Sequence, residues 1–217
     1  MKKIIIVDDH PLIRKGLALT IDADPNLSVI FQATEAKEVL SFFNKNDADL
    51  IIVDISLPGM NGLELIKHIK AIRPEMKILV VSRHDESLYA ERAIRAGAQG
   101  YVMKLEASEV ILKAIRTVLN GGIYVSDSVN KRLLMRMVSG YKSLSQSPLE
   151  VLSDRELEVF ELTGSGLNSR EIAKNLQLSI KTVETYRARI KDKLSLNNAT
   201  ELVLHASRWV DGLNNSN

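Results

Sequence analysis

Five short runs of apolar residues recur along the first 120 residues, and each is followed by a stretch with helical periodicity. The runs are Ile4–Val7, Leu27–Phe31, Leu50–Val53, Ile78–Val81 and Gly100–Met103. Near-continuous apolar strands are typical of parallel sheets whose two faces are covered by helices. We therefore predict an α/β domain with a doubly wound, five-stranded parallel sheet. Functional sites in such sheets form beyond the carboxyl ends of the strands.

The alternation stops at Gly121 and Gly122, and only helical patterns follow. The predicted helices begin at Pro11 and then cover 35–44, 62–72, 86–96, 107–119, 127–138, 154–163, 169–176, 180–194 and 199–210. A Ser-rich stretch with Gly and Pro over 139–150 has the composition of a linker. We predict an α/β domain over 1–120, a linker with a helix over 121–148, an all-α four-helix domain over 149–213 and a frayed tail over Asn214–Asn217.

Composition excludes several kinds of site. The chain has no cysteine, which rules out disulfides, thiolate metal sites and cysteine nucleophiles, and its four histidines lack metal-ligand spacing. The apolar run at the N-terminus ends after four residues, too short for a signal peptide or a membrane span, so we expect a cytoplasmic protein without a membrane partner.

Charge is unevenly distributed in the helical half. Residues 179–195 carry five basic and two acidic side chains, whereas 153–164 carry one basic and four acidic ones. A basic helix of this kind can meet a phosphate backbone although the net charge of the whole chain is only +2.

Chemically active side chains follow four of the five predicted strands. They are Asp8, Asp9, Asp54, Ser82 and Lys104. Each alone has an ordinary explanation as a loop residue, a helix cap or a surface lysine, but their order along a parallel sheet brings them to one edge. Clustered carboxylates suit Mg²⁺. Asp54 could then attack phosphorus, with Lys104 and Ser82 stabilising the phosphoryl oxygens.

The strings IIIVDDH, LIIVDISLPGMNGLELI, ILVVS and GAQGYVMK resemble the flavodoxin-like receiver domain of two-component response regulators. The resemblance implies that a sensor histidine kinase phosphorylates Asp54. It implies a switch pair, Ser82 and Tyr101, that moves inward on phosphorylation, although Tyr101 could also be a half-buried aromatic on the last strand. It also implies Mg²⁺ held by Asp9, Asp54 and the backbone carbonyl of Ser56, with Asp8 acting partly through water.

Residues 168–187 fit two short helices around a tight turn. On the second helix Val183, Ile190 and Leu194 share an inner face. The outward residues are Lys181, Glu184, Thr185, Ala188, Arg189 and Asp192. By spacing alone, this mixed face fits a solvated surface as well as a DNA-binding one.

The strings LSDRELEVFELTGSGLNSREIA and LSIKTVETYRARIKDKL resemble the LuxR-type (NarL/FixJ) helix-turn-helix domain. The resemblance implies that helix 180–194 lies in the major groove. The predicted phosphate contacts are Lys181, Thr182, Arg187, Arg189 and Lys191, and the predicted base readers are Glu184, Thr185 and Ala188. The last helix, with Leu202, Val203, Ala206 and Val210, completes the core, and the family implies that it also pairs two DNA-binding domains.

Together these features predict a DNA-binding transcriptional response regulator rather than an enzyme. Phosphorylation would promote dimerisation and operator binding, or release a masked recognition helix. Its partners would be double-stranded DNA, a sensor histidine kinase and a second copy, with RNA polymerase as a further candidate. Two alternatives stay open: a phosphorylation-independent regulator whose receiver only dimerises, and an aspartyl phosphohydrolase, which would want a carboxylate where Ser56 stands.

Overall fold

The computed structural model describes residues 1–139 and 148–214. The chain forms two compact units, Met1–Tyr141 and Lys142–Asn217. Most of the predicted linker over 139–150 lies outside the described residues, and so does the predicted tail beyond Asn214. In the described part of the chain, no helix combines the length and apolar character needed to cross a membrane.

The first unit alternates strands and helices as the sequence predicts. Its elements are β1 (Lys2–Val7), α1 (Pro11–Asp22), β2 (Leu27–Ala33), α2 (Ala36–Phe42), β3 (Leu50–Val53), α3 (Gly62–Ile72), β4 (Lys77–Ser82), α4 (Glu86–Ala96), β5 (Gly100–Met103), α5 (Ser108–Leu119) and α6 (Asp127–Ser139). The five predicted strands are confirmed, and three of them extend beyond their predicted ends because their flanking residues continue the ladder.

All strand pairs are parallel, in the order β2-β1-β3-β4-β5. This confirms the doubly wound sheet. β1 and β3 lie at its centre, and every residue of β3 is buried because helices cover both faces. Val7 pairs with Val53 at the carboxyl ends of these two strands. The residues that follow them, Asp8 and Asp54, therefore emerge side by side.

The segment after α5 stays attached to the sheet. Tyr124 forms a parallel bridge with Gly100 beyond the edge strand β5: the Tyr101 N–H donates to the Tyr124 carbonyl (2.8 Å), and the Tyr124 N–H donates to the Gln99 carbonyl (2.9 Å). Ser126 then caps α6, accepting from the Val129 N–H, and α6 packs against α4. The first unit thus continues past residue 120.

The second unit is helical. A 3-10 turn (Pro148–Val151) precedes α7 (Asp154–Gly164), α8 (Ser169–Leu176), α9 (Ile180–Lys193) and α10 (Ala199–Asn214). The four predicted helices are confirmed, with α10 four residues longer than predicted and α9 one residue shorter.

Side-chain caps set the starts of these helices. Two of them are capping boxes: Ser153 with Glu156 begins α7, and Asn168 with Glu171 begins α8. At α10, Asn198 accepts from the Glu201 N–H, but the Glu201 carboxylate accepts from the N–H of Asn197, one residue earlier than a capping box requires.

The core of the second unit joins α10 to α7. Leu202 and Ala206 are fully buried, whereas Val203, which the sequence places beside them, is 38 % exposed. Gly164 lets the two helices meet, because a Cβ on Gly164 would lie only 2.4 Å from the Ala206 carbonyl oxygen. The inner face of α10 is thus narrower than its apolar pattern indicates.

Candidate functional site

A lysine and two carboxylates meet at the carboxyl edge of the sheet. The Lys104 Nζ lies 2.8 Å from Asp54 Oδ2 and 2.8 Å from Asp8 Oδ2. All three side chains are almost completely buried, with 6 % or less of their surface exposed. Because β5 ends one strand beyond β4, Lys104 reaches back across the end of the sheet to the two acids. The sequence predicted this convergence, and the structure places the three residues together.

Burial raises the pKa of Asp54 above its ordinary value. The opposing attraction of Lys104 does not cancel this effect, and the neighbouring Asp8 carboxylate raises the pKa further. The ionised Asp54 is therefore held at a free-energy cost. A cation bound next to the ionised carboxylate would lower this cost.

The free-energy cost of keeping Asp54 ionised predicts that Asp54→Asn makes the fold more stable. A carboxyl group whose pKa is raised by folding destabilises the fold above that raised pKa, and the cost disappears as the pH falls through it. In chelator at pH 7, we expect Asp54→Asn to raise the free energy of unfolding by about 1 kcal/mol, as functional-site replacements commonly do. The gain should shrink towards pH 4. Urea unfolding at both pH values measures it, and lower stability of the variant at pH 7 would contradict the prediction.

Four side chains at this edge form a set of candidate metal ligands. Asp8, Asp9, His10 and Asp54 each place one ligand atom within 4.8 Å of the others. Asp54 Oδ1 is buried and has no hydrogen-bond partner among the described residues. An oxygen-rich set that includes this unsatisfied buried carboxylate oxygen fits a small hard cation.

A second group of contacts surrounds the mouth of the pocket. Ser56 Oγ lies 2.8 Å from His84 Nε2, and the Tyr101 hydroxyl donates to the His84 carbonyl (2.7 Å). The His84 N–H donates to Ser82 Oγ at 3.4 Å. Ser82 and Tyr101 are both buried, so Tyr101 is not the half-buried aromatic of the alternative interpretation. The loop between β4 and α4 is thereby joined to the loop that follows β3 and to β5.

Sequence reasoning missed His10 and His84. His10 Nδ1 lies 2.6 Å from Asp9 Oδ1, and the His10 N–H donates to Asp8 Oδ1. Histidine spacing could not reveal either residue, because each acts alone. Their positions in the sequence could have identified them, since His10 directly follows the acid pair and His84 lies two residues after Ser82.

The second unit contains a helix-turn-helix. Gln177 turns the chain between α8 and α9 with left-handed backbone angles (φ 52°), and Ser179 caps α9 by accepting from the Thr182 N–H. Val183 and Ile190 are fully buried and hold α9 against the core. The described residues on its opposite face are exposed, namely Lys181, Glu184, Thr185, Ala188, Arg189 and Asp192.

The remaining predicted contacts of α9 are partly buried. Thr182, Arg187 and Lys191 are intermediate in exposure, and Arg187 Nη1 donates to Ser169 Oγ at the start of α8 (3.2 Å). Near the end of α9, Lys193 pairs with Glu156 of α7 (2.6 Å). Burial raises the pKa of Glu156, but the ion pair with Lys193 and the hydrogen bonds with Ser153 outweigh this effect and hold the pKa below its usual value.

Two family models match the chain. The response regulator receiver domain matches residues 4–116, and the luxR family of bacterial regulatory proteins matches residues 150–206. The chain belongs to the NarL/FixJ family of response regulators. The receiver of this response regulator is the first unit, and its LuxR-type DNA-binding domain is the second.

Full-length relatives share this arrangement. The oxygen regulatory protein NreC of Staphylococcus haemolyticus (strain JCSC1435) is 34 % identical, over 94 % of the response regulator and 96 % of NreC. The transcriptional regulatory protein DegU of Brevibacillus brevis is 30 % identical, over 96 % and 94 %. RcsB from Salmonella enterica serovar Typhimurium, solved bound to promoter rprA in the presence of phosphomimetic BeF3−, is 28 % identical with a TM-score of 0.64, over 95 % and 98 %.

Proposed function

We propose that this response regulator takes a phosphoryl group on Asp54 from a phosphohistidine of a sensor kinase and then binds promoter DNA as a dimer. The observation that carries the proposal is the buried contact of Lys104 with both Asp8 and Asp54. It supports transfer chemistry because a buried nucleophile and a fixed cation meet at one point of the sheet.

The transfer is a displacement at phosphorus. An oxygen of the Asp54 carboxylate attacks the phosphorus atom, the P–N bond to the donor imidazole breaks, and its electron pair stays on the nitrogen. Lys104 is placed to balance charge on the transferred oxygens. The buried hydroxyl of Ser82 supplies a hydrogen bond to one of them.

Mg²⁺ is the cation that best suits the acidic cluster. Asp9, Asp54 and the carbonyl of Ser56 would hold it, with Asp8 acting partly through water, and the unsatisfied Asp54 Oδ1 supports this assignment. When bound, the ion would neutralise charge on the reacting oxygens. His10 keeps the Asp9 carboxylate in place through its 2.6 Å contact.

Ser82 and Tyr101 form the switch. Tyr101 reaches the loop after Ser82 through its bond to the His84 carbonyl, so a shift of Ser82 towards a phosphoryl group changes what Tyr101 contacts. The two residues therefore couple the pocket to β5.

On DNA, α9 is the recognition helix. Lys181, Thr182, Arg187, Arg189 and Lys191 contact phosphates, and Glu184, Thr185 and Ala188 read bases. The promoter-bound RcsB structure supports binding to promoter DNA, and a structure of two RcsB dimers on two parallel DNAs supports dimeric binding. The regulator would act in the cytoplasm, with RNA polymerase as a further candidate partner.

Arg189→Ala tests the DNA contacts. Arg189 is exposed on α9, and loss of one phosphate contact should weaken binding to all sequences about equally and reduce the salt slope by about 1 per protomer. Lys113→Ala, which removes an exposed charge from α5 of the receiver, is the control and should leave the slope unchanged. Fluorescence anisotropy across a salt series measures both, and an unaltered slope for Arg189→Ala would count against the contact.

The whole proposal is tested by DNA binding with and without a small-molecule phosphodonor. We expect acetyl phosphate with Mg²⁺ to increase affinity for DNA selected from genomic binding sites and to increase the dimer fraction. Equal affinity in both conditions, with phosphorylation verified by mass, would favour the alternative of a phosphorylation-independent regulator.

A further inference from the structure

The first turn of α4 is held by the start of α6. The hydroxyls of Ser126 and Ser128 both donate to Glu86 Oε1, at 2.6 and 2.8 Å. Arg132 Nη2 donates to the Glu86 backbone carbonyl at 3.5 Å. Val129, between these contacts, is 1 % exposed. We call this set of contacts the Glu86 clamp.

Glu86 is also the end of the segment that senses the pocket. The segment runs from Ser82 at the end of β4, through His84, to Asp85, which caps α4 by accepting from the Ser87 N–H. Only three residues separate Ser82 from Glu86 in the chain. A displacement of Ser82 towards a phosphoryl group therefore has to move the residues between Ser82 and Glu86, which position the clamp.

A second contact joins the same segment to the switch. The Tyr101 N–H donates to the Tyr124 carbonyl, two residues before Ser126. The Tyr101 hydroxyl is bonded to the His84 carbonyl. Residues 124–132 thus touch both elements that a phosphoryl group would move, β5 at one end and α4 at the other.

We propose that α6 is a reversible clamp, docked on α4 through Glu86 when Asp54 is unmodified and released when Asp54 is phosphorylated. This inference rests on the proposed function, because the phosphoryl group supplies the trigger. The released helix is the one that precedes the DNA-binding unit in the chain. Release of α6 therefore links phosphorylation of the receiver to the DNA-binding unit.

The absence of cysteine allows a direct test. Val129→Cys places a single thiol at the buried position, and Asn130→Cys places one at the adjacent exposed position. In the full-length unphosphorylated chain, we expect DTNB to react at least about tenfold faster with the Asn130→Cys thiol, because the Val129→Cys thiol requires local opening. Mg²⁺ with BeF3− should accelerate the Val129→Cys thiol about tenfold, and Asp54→Asn in the same chain should abolish the acceleration.

The clamp is also tested without phosphorylation. Adding Glu86→Ala to Val129→Cys removes the acceptor of both serines and leaves the Ser126 cap of α6 in place, so it should expose the thiol in the unmodified chain. Ser87→Ala, which changes an exposed serine of the same α4 turn, should not. Amide hydrogen exchange over α6 in the chain without cysteine provides a second measurement. It should be faster under each condition in which thiol labelling is faster.

The outcomes separate the two proposals. If phosphodonor increases DNA binding but thiol reactivity and amide exchange of α6 stay unchanged, the clamp is wrong and the proposed function stands. If no phosphoryl group is accepted, the proposed function fails, and the Glu86→Ala variant still decides whether Glu86 holds α6. Slow labelling of the Val129→Cys thiol in the Glu86→Ala variant would overturn the clamp.

Discussion

Asp54→Asn should reduce labelling by acetyl phosphate to the background of the assay. The amide lacks the carboxylate oxygen that attacks phosphorus, while its size and shape preserve the packing beneath Lys104. The gain in DNA affinity on adding phosphodonor should disappear with it. Phosphate-binding gel electrophoresis and intact mass measure the labelling, and anisotropy measures the binding.

The control is Asp47→Asn. Asp47 is 77 % exposed and pairs with Arg73 away from the pocket, so its replacement removes the same charge without touching the phospho-acceptor site. It should label as the unsubstituted chain does. Equal labelling of Asp54→Asn and the unsubstituted chain would refute the acceptor assignment.

Gly62→Ala should be the most damaging small substitution near the pocket. A Cβ at this position would lie 2.0 Å from the Asp54 carbonyl oxygen and 2.8 Å from the Ile55 Cα, and both are backbone atoms that cannot rotate away. The start of α3 must then move away from β3. We expect a loss of about 3 kcal/mol in the free energy of unfolding, the upper range for overpacking, together with slower phosphorylation.

Gly16→Ala is the matched control for this effect. Gly16 lies in α1, exposed, with nothing within 4 Å of the added methyl group. Alanine should stabilise α1 by about 0.5–1 kcal/mol because it restricts the unfolded chain and favours helix. Urea unfolding of both variants measures the contrast. Similar stability of the two variants would show that the close approach of backbone atoms at Gly62 does not limit the stability of the fold.

The sheet and the acids at its edge are predictable from sequence for a physical reason. Parallel strands buried on both faces leave long apolar runs, and chemically active residues directly after them have only one edge to occupy. The sequence pattern therefore predicts that Asp8, Asp54 and Lys104 lie together. The starts of α7 and α8 are predictable for a similar reason, because Ser153 and Asn168 cap these helices through contacts with the glutamate three residues later.

Contacts between distant elements were not predictable. The Ser56–His84 pair and the bonds from Ser126 and Ser128 to Glu86 join residues 28 to 42 positions apart. Their side chains are ordinary loop and helix-terminal types, and only the packing of β4, α4 and α6 brings them together. On α10, apolar periodicity marks Val203 as inward, but α7 approaches α10 at Ala206 and Val210 beside Gly164, and Val203 stays 38 % exposed.

The bridge made by Tyr124 has a consequence for any isolated receiver fragment. A fragment that stops at residue 120 would lack the groups that satisfy the Tyr101 amide and the Gln99 carbonyl, leaving β5 as an open strand. Open strand edges are where separate molecules pair and aggregate. A fragment extended through α6 would keep this edge covered and should stay monodisperse where the shorter one precipitates.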